Sequence, residues 1–561
     1  MGFSRGFWLG VGLLGGCGPG TATDTTGTEG SGTAGTGGEP TDGVEVDESA
    51  LVGTQRGVDL LFVVDNSGSM ATPQARLSQA IGSLLAVLDA DDVRANYRIA
   101  VTTTDSGNPR CPAASSTPEG GRLVLSSCLD RVDAGEFTFN DEDFSASCTD
   151  FCGKRDADLQ VLATTTELDP QAQPRRWVER SEGVLNVKGA PAEELLRCYL
   201  PQGVAGCGFE SHLESMYLAL AKAADRKSGE NYGFMRDAAQ LAIVIVSDET
   251  DCSVSPGGKE IFTSNKVFWN DPELDVAPTS AVCWRAGVAC SGGNGVYSEC
   301  HAENHDLQGA SGAADSQAVL QPVAKYVDLV KGIEAAKREI DELQRVKVWL
   351  LTGVPAGYAS FDAELMYADS PDPDYQASFG IGPGCVFEDP KLGTHGAAPP
   401  VRERAFAEAF TEPATRRLYS LCDADYAGAL AAIGEEIAAA IGPVCMPRCV
   451  RDVDPPTPVL DPNCRLFERD LIADMEQEVP ACDLVNGAWQ TPMGASVCFG
   501  AKVDPNGTQT PLQVDDMSPA CVDEGFNLEF EIVRTGGPTA WTTIVAKCEL
   551  SPDPAADCPK L

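Results

Sequence analysis

The chain has 561 residues, with 83 Asp and Glu against 41 Lys and Arg, and a formal net charge of −42 argues against a protein that tracks nucleic-acid phosphates. A hydrophobic content of 43% excludes wholesale disorder, and the length allows roughly two to four domains. Its 21 cysteines exceed what a reducing compartment tolerates and point to an exported chain that oxidises them in pairs.

Residues 1–16 read as a signal peptide: Arg5 precedes the apolar run Phe7 to Leu14, which is too short to span a bilayer. Gly2-Phe3-Ser4-Arg5-Gly6 fits the G-x-S-x-G hydrolase elbow, but it lies in this leader and precedes no strand-to-helix turn. Leu14-Gly15-Gly16-Cys17 resembles the bacterial lipobox, which implies lipidation of Cys17 as the first residue of the mature chain. The remaining 20 cysteines are an even number, as complete pairing requires. No later stretch reaches 18 uninterrupted apolar residues, so the expected membrane attachment is by the lipid anchor only. Gly18 stands where an acidic residue would favour inner-membrane retention, and the expected location is the outer membrane of the cell envelope, periplasmic or surface exposed. Residues 17–50 form the lipidated cysteine and a Gly/Thr/Ser-rich tether, whose 26 residues from Gly18 to Gly43 reach roughly 30 Å.

At Val58 the pattern changes. Val58 to Val64 is an apolar run of strand length, suited to a central parallel strand buried on both faces. Asp65, Ser67 and Ser69 follow as D-x-S-x-S, on the loop leaving the carboxyl end, where open α/β sheets bind their ligands. Pro73 then opens a helix to about Leu88, with Leu77, Ala80, Ile81, Leu84, Leu85 and Leu88 as its apolar stripe. Two hydroxyls and one carboxylate are hard oxygen donors that suit Mg²⁺, Mn²⁺ or Ca²⁺ without neutralising it, leaving the ion electrophilic.

This strand, loop and helix resemble the von Willebrand factor type A domain with its metal-ion-dependent adhesion site. The resemblance implies an α/β, Rossmann-like fold over residues 57–442, binding a divalent cation that accepts a carboxylate from a protein or surface ligand. It also implies a ligating aspartate after a second buried strand. Leu241 to Val246 is that strand and Asp248 the direct or water-mediated ligand, with Glu249 and Asp251 as accessory metal candidates. The family's second loop offers a threonine, which Gly203 to Glu210 lacks, so either Glu210, Ser211 or water substitutes or the affinity for the ion is reduced.

Further strands are expected at Tyr97 to Thr103 and Val346 to Thr352, with helices at about Ser211 to Ala224, Gln321 to Leu343 and Ala424 to Ile441. Insertions at about 105–200, 252–316 and 355–400 are expected near the cation-bearing edge. The even local cysteine counts within them favour local disulfides over a zinc site at Cys111, Cys128, Cys148 and Cys152. His301 and His305 do not form the metalloprotease motif, and nothing else in the sequence points to catalysis. Residues 443–561, with eight cysteines, read as a small, mainly β, disulfide-supported module in which Phe526 to Arg534 and Thr542 to Cys548 form a hairpin-like pair. The expected function is a lipid-anchored protein that binds a macromolecular ligand through a cation. The alternatives are a structural surface lipoprotein with a degenerate, metal-free domain and, third, a hydrolase.

Overall fold

The computed structural model describes residues 49–51 and 57–561, apart from short segments at 91–92, 94, 112–115, 117, 182–183, 228, 272–276, 340–343, 442–443, 458, 471–474, 506 and 536–541. The signal peptide, Cys17 and most of the tether lie outside the described residues. Among the described residues no helix is long and apolar enough to cross a membrane.

The architecture is mixed α/β around one seven-stranded sheet. In chain order its elements are β1 (Gly57–Val64), α1 (Ala71–Leu88), β2 (Asn96–Thr103), β3 (Val178–Ser181), β4 (Val184–Leu185), α2 (Ala192–Tyr199), α3 (His212–Ala224), β5 (Gln240–Val246), α4 (Val323–Arg338), β6 (Lys347–Thr352), α5 (Val401–Glu408), β7 (Leu418–Ser420) and α6 (Ala427–Ala440). The strand order is β4-β3-β2-β1-β5-β6-β7. Strands β2, β1, β5, β6 and β7 run parallel, and β3 and β4 add an antiparallel edge. That edge comes from the first insertion, expected to be loop, because Val178 and the stretch after it pair with Tyr97 to Ile99.

Strand alternation sorts the core into two layers. Val58, Leu60, Phe62 and Val64 face α1, α2 and α6, together with Val244, Val246, Trp349 and Leu351. Leu61, Val63, Ile243, Ile245, Val348 and Leu350 face α3, α4 and α5. Both faces of β1, β5 and β6 are thus dry, which is why these strands read as continuous apolar runs. On the first face α6 packs tightly on α1, since a Cβ at Gly434 would lie 3.1 Å from Val87 Cβ and 3.2 Å from the Leu84 carbonyl oxygen.

Ten disulfides use every cysteine from Cys111 onward. Pairing is local, as the counts predicted. Cys111–Cys207, Cys128–Cys148 and Cys152–Cys198 close the first region, and Cys252–Cys283 with Cys290–Cys300 the second. The C-terminal region is mainly β and holds four bridges. Its Glu529–Arg534 and Thr542–Cys548 strands do not pair with each other, contrary to the sequence expectation. The first pairs with Val497–Lys502 and the second with Cys464–Asp470. Their inner residues, Phe530 and Val497 from one sheet and Leu466, Ile544 and Ala546 from the other, share one core. A hairpin would expose half of that apolar surface, so facing sheets win.

Candidate cation site at the carboxyl rim of the sheet

Connections from β1 go to β2 on one side, while β5 lies on the other, so the chain diverges between β1 and β5. Adjacent strand ends in such sheets leave a crevice at that point. Asp65 leaves β1 and Asp248 leaves β5 at this rim, and the Asp65 amide donates to the Val246 carbonyl at 2.9 Å, fastening the two loops together.

Within the first loop the Ser67 amide donates to Asp65 Oδ1 at 2.8 Å, turning the chain so that the Ser67 and Ser69 hydroxyls lie 3.3 Å apart. Asp65 and Ser67 are buried, while Ser69 is partly exposed. The second loop closes against the first. Gly206 donates its amide to the Asn66 carbonyl at 2.8 Å, and a Cβ at Gly206 would stand 2.7 Å from that oxygen, so a side chain has no room there. Gln74, buried in the first turns of α1, donates to the carbonyls of Asp65 and Gly203, both at 2.8 Å, and accepts the Gln202 amide at 2.8 Å. Gln74→Leu strands these buried groups and is expected to lower stability by on the order of 1–3 kcal/mol, measurable as a lower midpoint in urea.

The carboxylates meet as an electrostatic cluster. Burial pushes Asp65 up to about 6, with the charge of Asp248 adding to it and His212 opposing. Glu210, completely buried, is raised well above its ordinary range by desolvation and by Asp65 and Glu249. Glu249 is raised by desolvation, Asp65 and Asp248, while accepting from the Ser280 hydroxyl at 2.9 Å. Thr104 donates to Glu210 Oε2, whereas Glu210 Oε1 and both oxygens of Asp248 are buried without a hydrogen-bond partner. The structure therefore brings Asp65, Ser67, Ser69, Asp248, Glu210 and Glu249 to one rim, with Glu210 supplied by the second loop that lacks threonine.

Asp251 does not join them. Its Oδ1 accepts from the Leu213 amide at 3.2 Å and the Ser253 hydroxyl at 2.5 Å, and its Oδ2 from Arg402 Nε at 3.0 Å. It caps α3 and pairs with a buried arginine, so in this structure both of its oxygens already have partners.

Sequence reasoning missed two histidines. His212, the first residue of α3, is completely buried with Nε2 2.5 Å from Ser247 Oγ and Nδ1 3.2 Å from Glu403 Oε1. Ser247 in turn donates to Asp65 Oδ2 at 2.6 Å. Because that hydroxyl proton points at Asp65, His212 Nε2 must be the donor to Ser247, while Nδ1 and Glu403 Oε1 face each other as an ion-pair contact without an aligned hydrogen bond. Burial opposes the charged imidazole, but Glu403, Asp251 and Asp65 outweigh it and raise His212 above its ordinary value. The order Ser-His-Glu resembles a hydrolytic triad, yet Ser247 is 3% exposed and its proton is committed to Asp65, so its oxygen faces no substrate. His395 sits on the hairpin Cys385–Asp389/Gly393–Ala397 of the third insertion, with Nε2 3.2 Å from Asp248 Oδ2. Only the position of His212 beside the second loop hinted at its role. Nothing local marks His395.

Among the described residues, Cys128, Cys148 and Cys152 are the three His, Cys, Asp or Glu groups whose ligand atoms lie mutually within 4.8 Å, and their sulfurs are spent in disulfides. No three described carboxylate or imidazole groups of the rim lie mutually within that distance.

No family model and no curated protein matches this chain. Among solved structures it is similar to the open conformation of the pilus adhesin SpaC from Lactobacillus rhamnosus GG, at 9% identity over 88% of this chain and 39% of that one, with a TM-score of 0.26. It is also similar to the pilus adhesin RrgA from Streptococcus pneumoniae, at 11% identity over 90% of this chain and 58% of that one, with a TM-score of 0.17. The chain thus spans 39% and 58% of the lengths of these two proteins.

Proposed function

We propose that this is a lipid-anchored envelope protein whose sheet is a Rossmann-like von Willebrand factor type A domain, binding a protein or other surface macromolecule through a divalent cation at the β1/β5 rim. The carrying observation is a set of buried, mutually repelling carboxylates in which the oxygens of Asp248 and one oxygen of Glu210 have no hydrogen-bond partner, the nearest opposing group to Asp248 being His395 at 3.2 Å. Burying such groups without compensation costs several kcal/mol, and a cation supplies the compensation. The donor types suit one: Ser67 and Ser69 offer hydroxyls and Asp65, Asp248 and Glu210 carboxylates, all hard oxygen donors, and because no three of the carboxylates lie mutually within 4.8 Å, some of them would reach the ion through water. Glu210 takes the place that the family gives to threonine, adding negative charge where a neutral ligand is usual. The ion, when bound, supplies Lewis acidity towards a carboxylate of the partner, and partly exposed Ser69 marks the open side.

Calorimetric titration of Mg²⁺, Mn²⁺ and Ca²⁺ into the mature protein tests the proposal, with Asp65→Ala as control. Saturable heat in the wild type and none in the variant is the expected result, and equally flat traces overturn it. A second reading is favoured by the raised carboxylates themselves, which protons can neutralise in place of a metal. It makes the protein a metal-free structural lipoprotein, and the flat traces would select it.

A further inference from the structure

Resting on the cation reading above, we infer that the short helix Pro373–Phe379 of the third insertion is a lid, closed in this structure, which must lift before a partner's carboxylate can reach the rim. Asp65 and Glu210 are 0% exposed, Asp248 1%, Ser67 2% and Glu249 7%, and Ser69 is only partly exposed, so a macromolecular ligand has no open approach to the carboxylates. Tyr375 of the short helix reaches in beside Asp248 and Glu249. Its hydroxyl is buried without a hydrogen-bond partner, and its ring packs on Gly396, where an added Cβ would stand 2.8 Å from Tyr375 Cε2. Burial, followed by the charges of Asp248 and Glu249, raises this phenol above its ordinary value, as expected of a group lying in their field.

The walls around this helix are fixed, whereas the helix itself is lightly held. The hairpin Cys385–Asp389/Gly393–Ala397 is tied to the chain after β7 by Cys385–Cys422, to the first turn of α1 by the Thr72 hydroxyl donating to Asp389 at 2.7 Å, and to the Asp248 carbonyl by the Ala398 amide at 2.8 Å. Its tip meets the first insertion over the D-x-S-x-S loop. There Lys391 Nζ donates to the Asp143 carbonyl, Leu392 packs in one apolar cluster with Phe139 and Phe144, and the Phe139 ring fills the space beside Gly68. By contrast, no residue of the helix Pro373–Phe379 is buried as a whole. Its Ala377 carbonyl is moored to the second insertion by Asn270 Nδ2 and by the Thr279 hydroxyl, the latter at 2.7 Å. The helix ends at Gly380, where a φ of 80° turns the chain. An element with so little buried surface opens at a lower free energy than the walls beside it.

The test joins Thr279→Cys to Ala377→Cys with a short bis-maleimide in the mature protein, in which every cysteine from Cys111 onward is already paired. The probe is a water-soluble carbodiimide with glycine methyl ester, which couples to the carboxyl groups it can reach, applied without cation and read by peptide mapping. Labelling of Asp248 and Glu249 is expected to fall about tenfold in the linked protein against the same variant unlinked, and to rise about tenfold in Tyr375→Ala against wild type. Exposed Glu364 and buried Asp59, at the opposite end of β1, are expected to label at unchanged rates in every form. Equal labelling of Asp248 in linked and unlinked protein, or a change that Asp59 shares, overturns the lid. Calorimetric titration with Mn²⁺ is read separately. Binding of the ion with ungated labelling leaves the cation reading standing without the lid, whereas gated labelling with no ion bound removes the cation reading and leaves the lid. The linked comparison uses one variant, so it decides the matter even if Tyr375→Ala does not fold.

Discussion

Asp248→Asn is expected to abolish all stabilisation by divalent cations while leaving a protein that, in chelator at neutral pH, melts no lower than the wild type. The usual substitution of a buried polar group costs stability because it breaks hydrogen bonds. Here neither Asp248 oxygen has one to break, and its one close opposing group, His395 at 3.2 Å, loses its charge as the pH rises above neutrality. Its charge acts instead to raise Asp65 and Glu249, so removing it relieves repulsion inside the cluster. The cation-bound wild type, by contrast, gains about 2.7 kcal/mol at a hundredfold excess over Kd and about 4.1 kcal/mol at a thousandfold excess, and the variant loses all of it. Differential scanning calorimetry of both proteins with cation and with chelator gives the four melting temperatures required. A variant that melts well below the wild type in chelator would mean that Asp248 is a structural partner and not a site kept vacant for a ligand.

The second large effect is on pH. In the cation-free protein Asp65 is raised from 3.8 to about 6, and Glu210 and Glu249 move in the same direction. A group that holds its proton more tightly when folded contributes stability that is complete below its unfolded value and lost as pH rises through its folded value. For Asp65 that window runs from about pH 4 to about pH 6. His212 and His395 are also raised, each by the carboxylates beside it against the opposing effect of burial, so their contribution is complete below the unfolded value near 6.5 and lost above it. All five groups therefore make the cation-free protein less stable from acid towards neutral pH. A divalent ion binds the ionised carboxylates and reverses this trend. The melting temperatures with and without cation are expected to coincide at pH 4.5, separate through pH 6 and differ most near pH 7.5, as read by fluorimetry across that range. Curves that run parallel throughout would show that the cluster is not where the ion acts.

The local pattern carried much of this. The runs at Val58 to Val64 and Leu241 to Val246 are dry on both faces, so they had to be central strands, and turn chemistry then put Asp65 and Asp248 just past their ends. Pairing is harder to read. Glu529–Arg534 and Thr542–Cys548 look like a hairpin because both alternate around a Gly-Gly-Pro stretch, yet they lie in facing sheets. Alternation specifies a face and leaves the partner open.

Asp251 and His395 mark the same boundary at the site. Asp251, three residues beyond Asp248, has the right chemistry for a ligand, and only packing reveals that Arg402, brought in by α5 from 151 residues away, has claimed it. His395 carries no local signal because its neighbour Asp248 lies 147 residues earlier in the chain. What the sequence determined alone is short-ranged: which runs are buried, where they end, and which oxygen-bearing side chains stand at those ends. What tertiary structure decided is how those side chains are spent, because a carboxylate is a ligand or a structural partner according to which donors arrive within about 3 Å of it, and such donors come from elements distant in sequence.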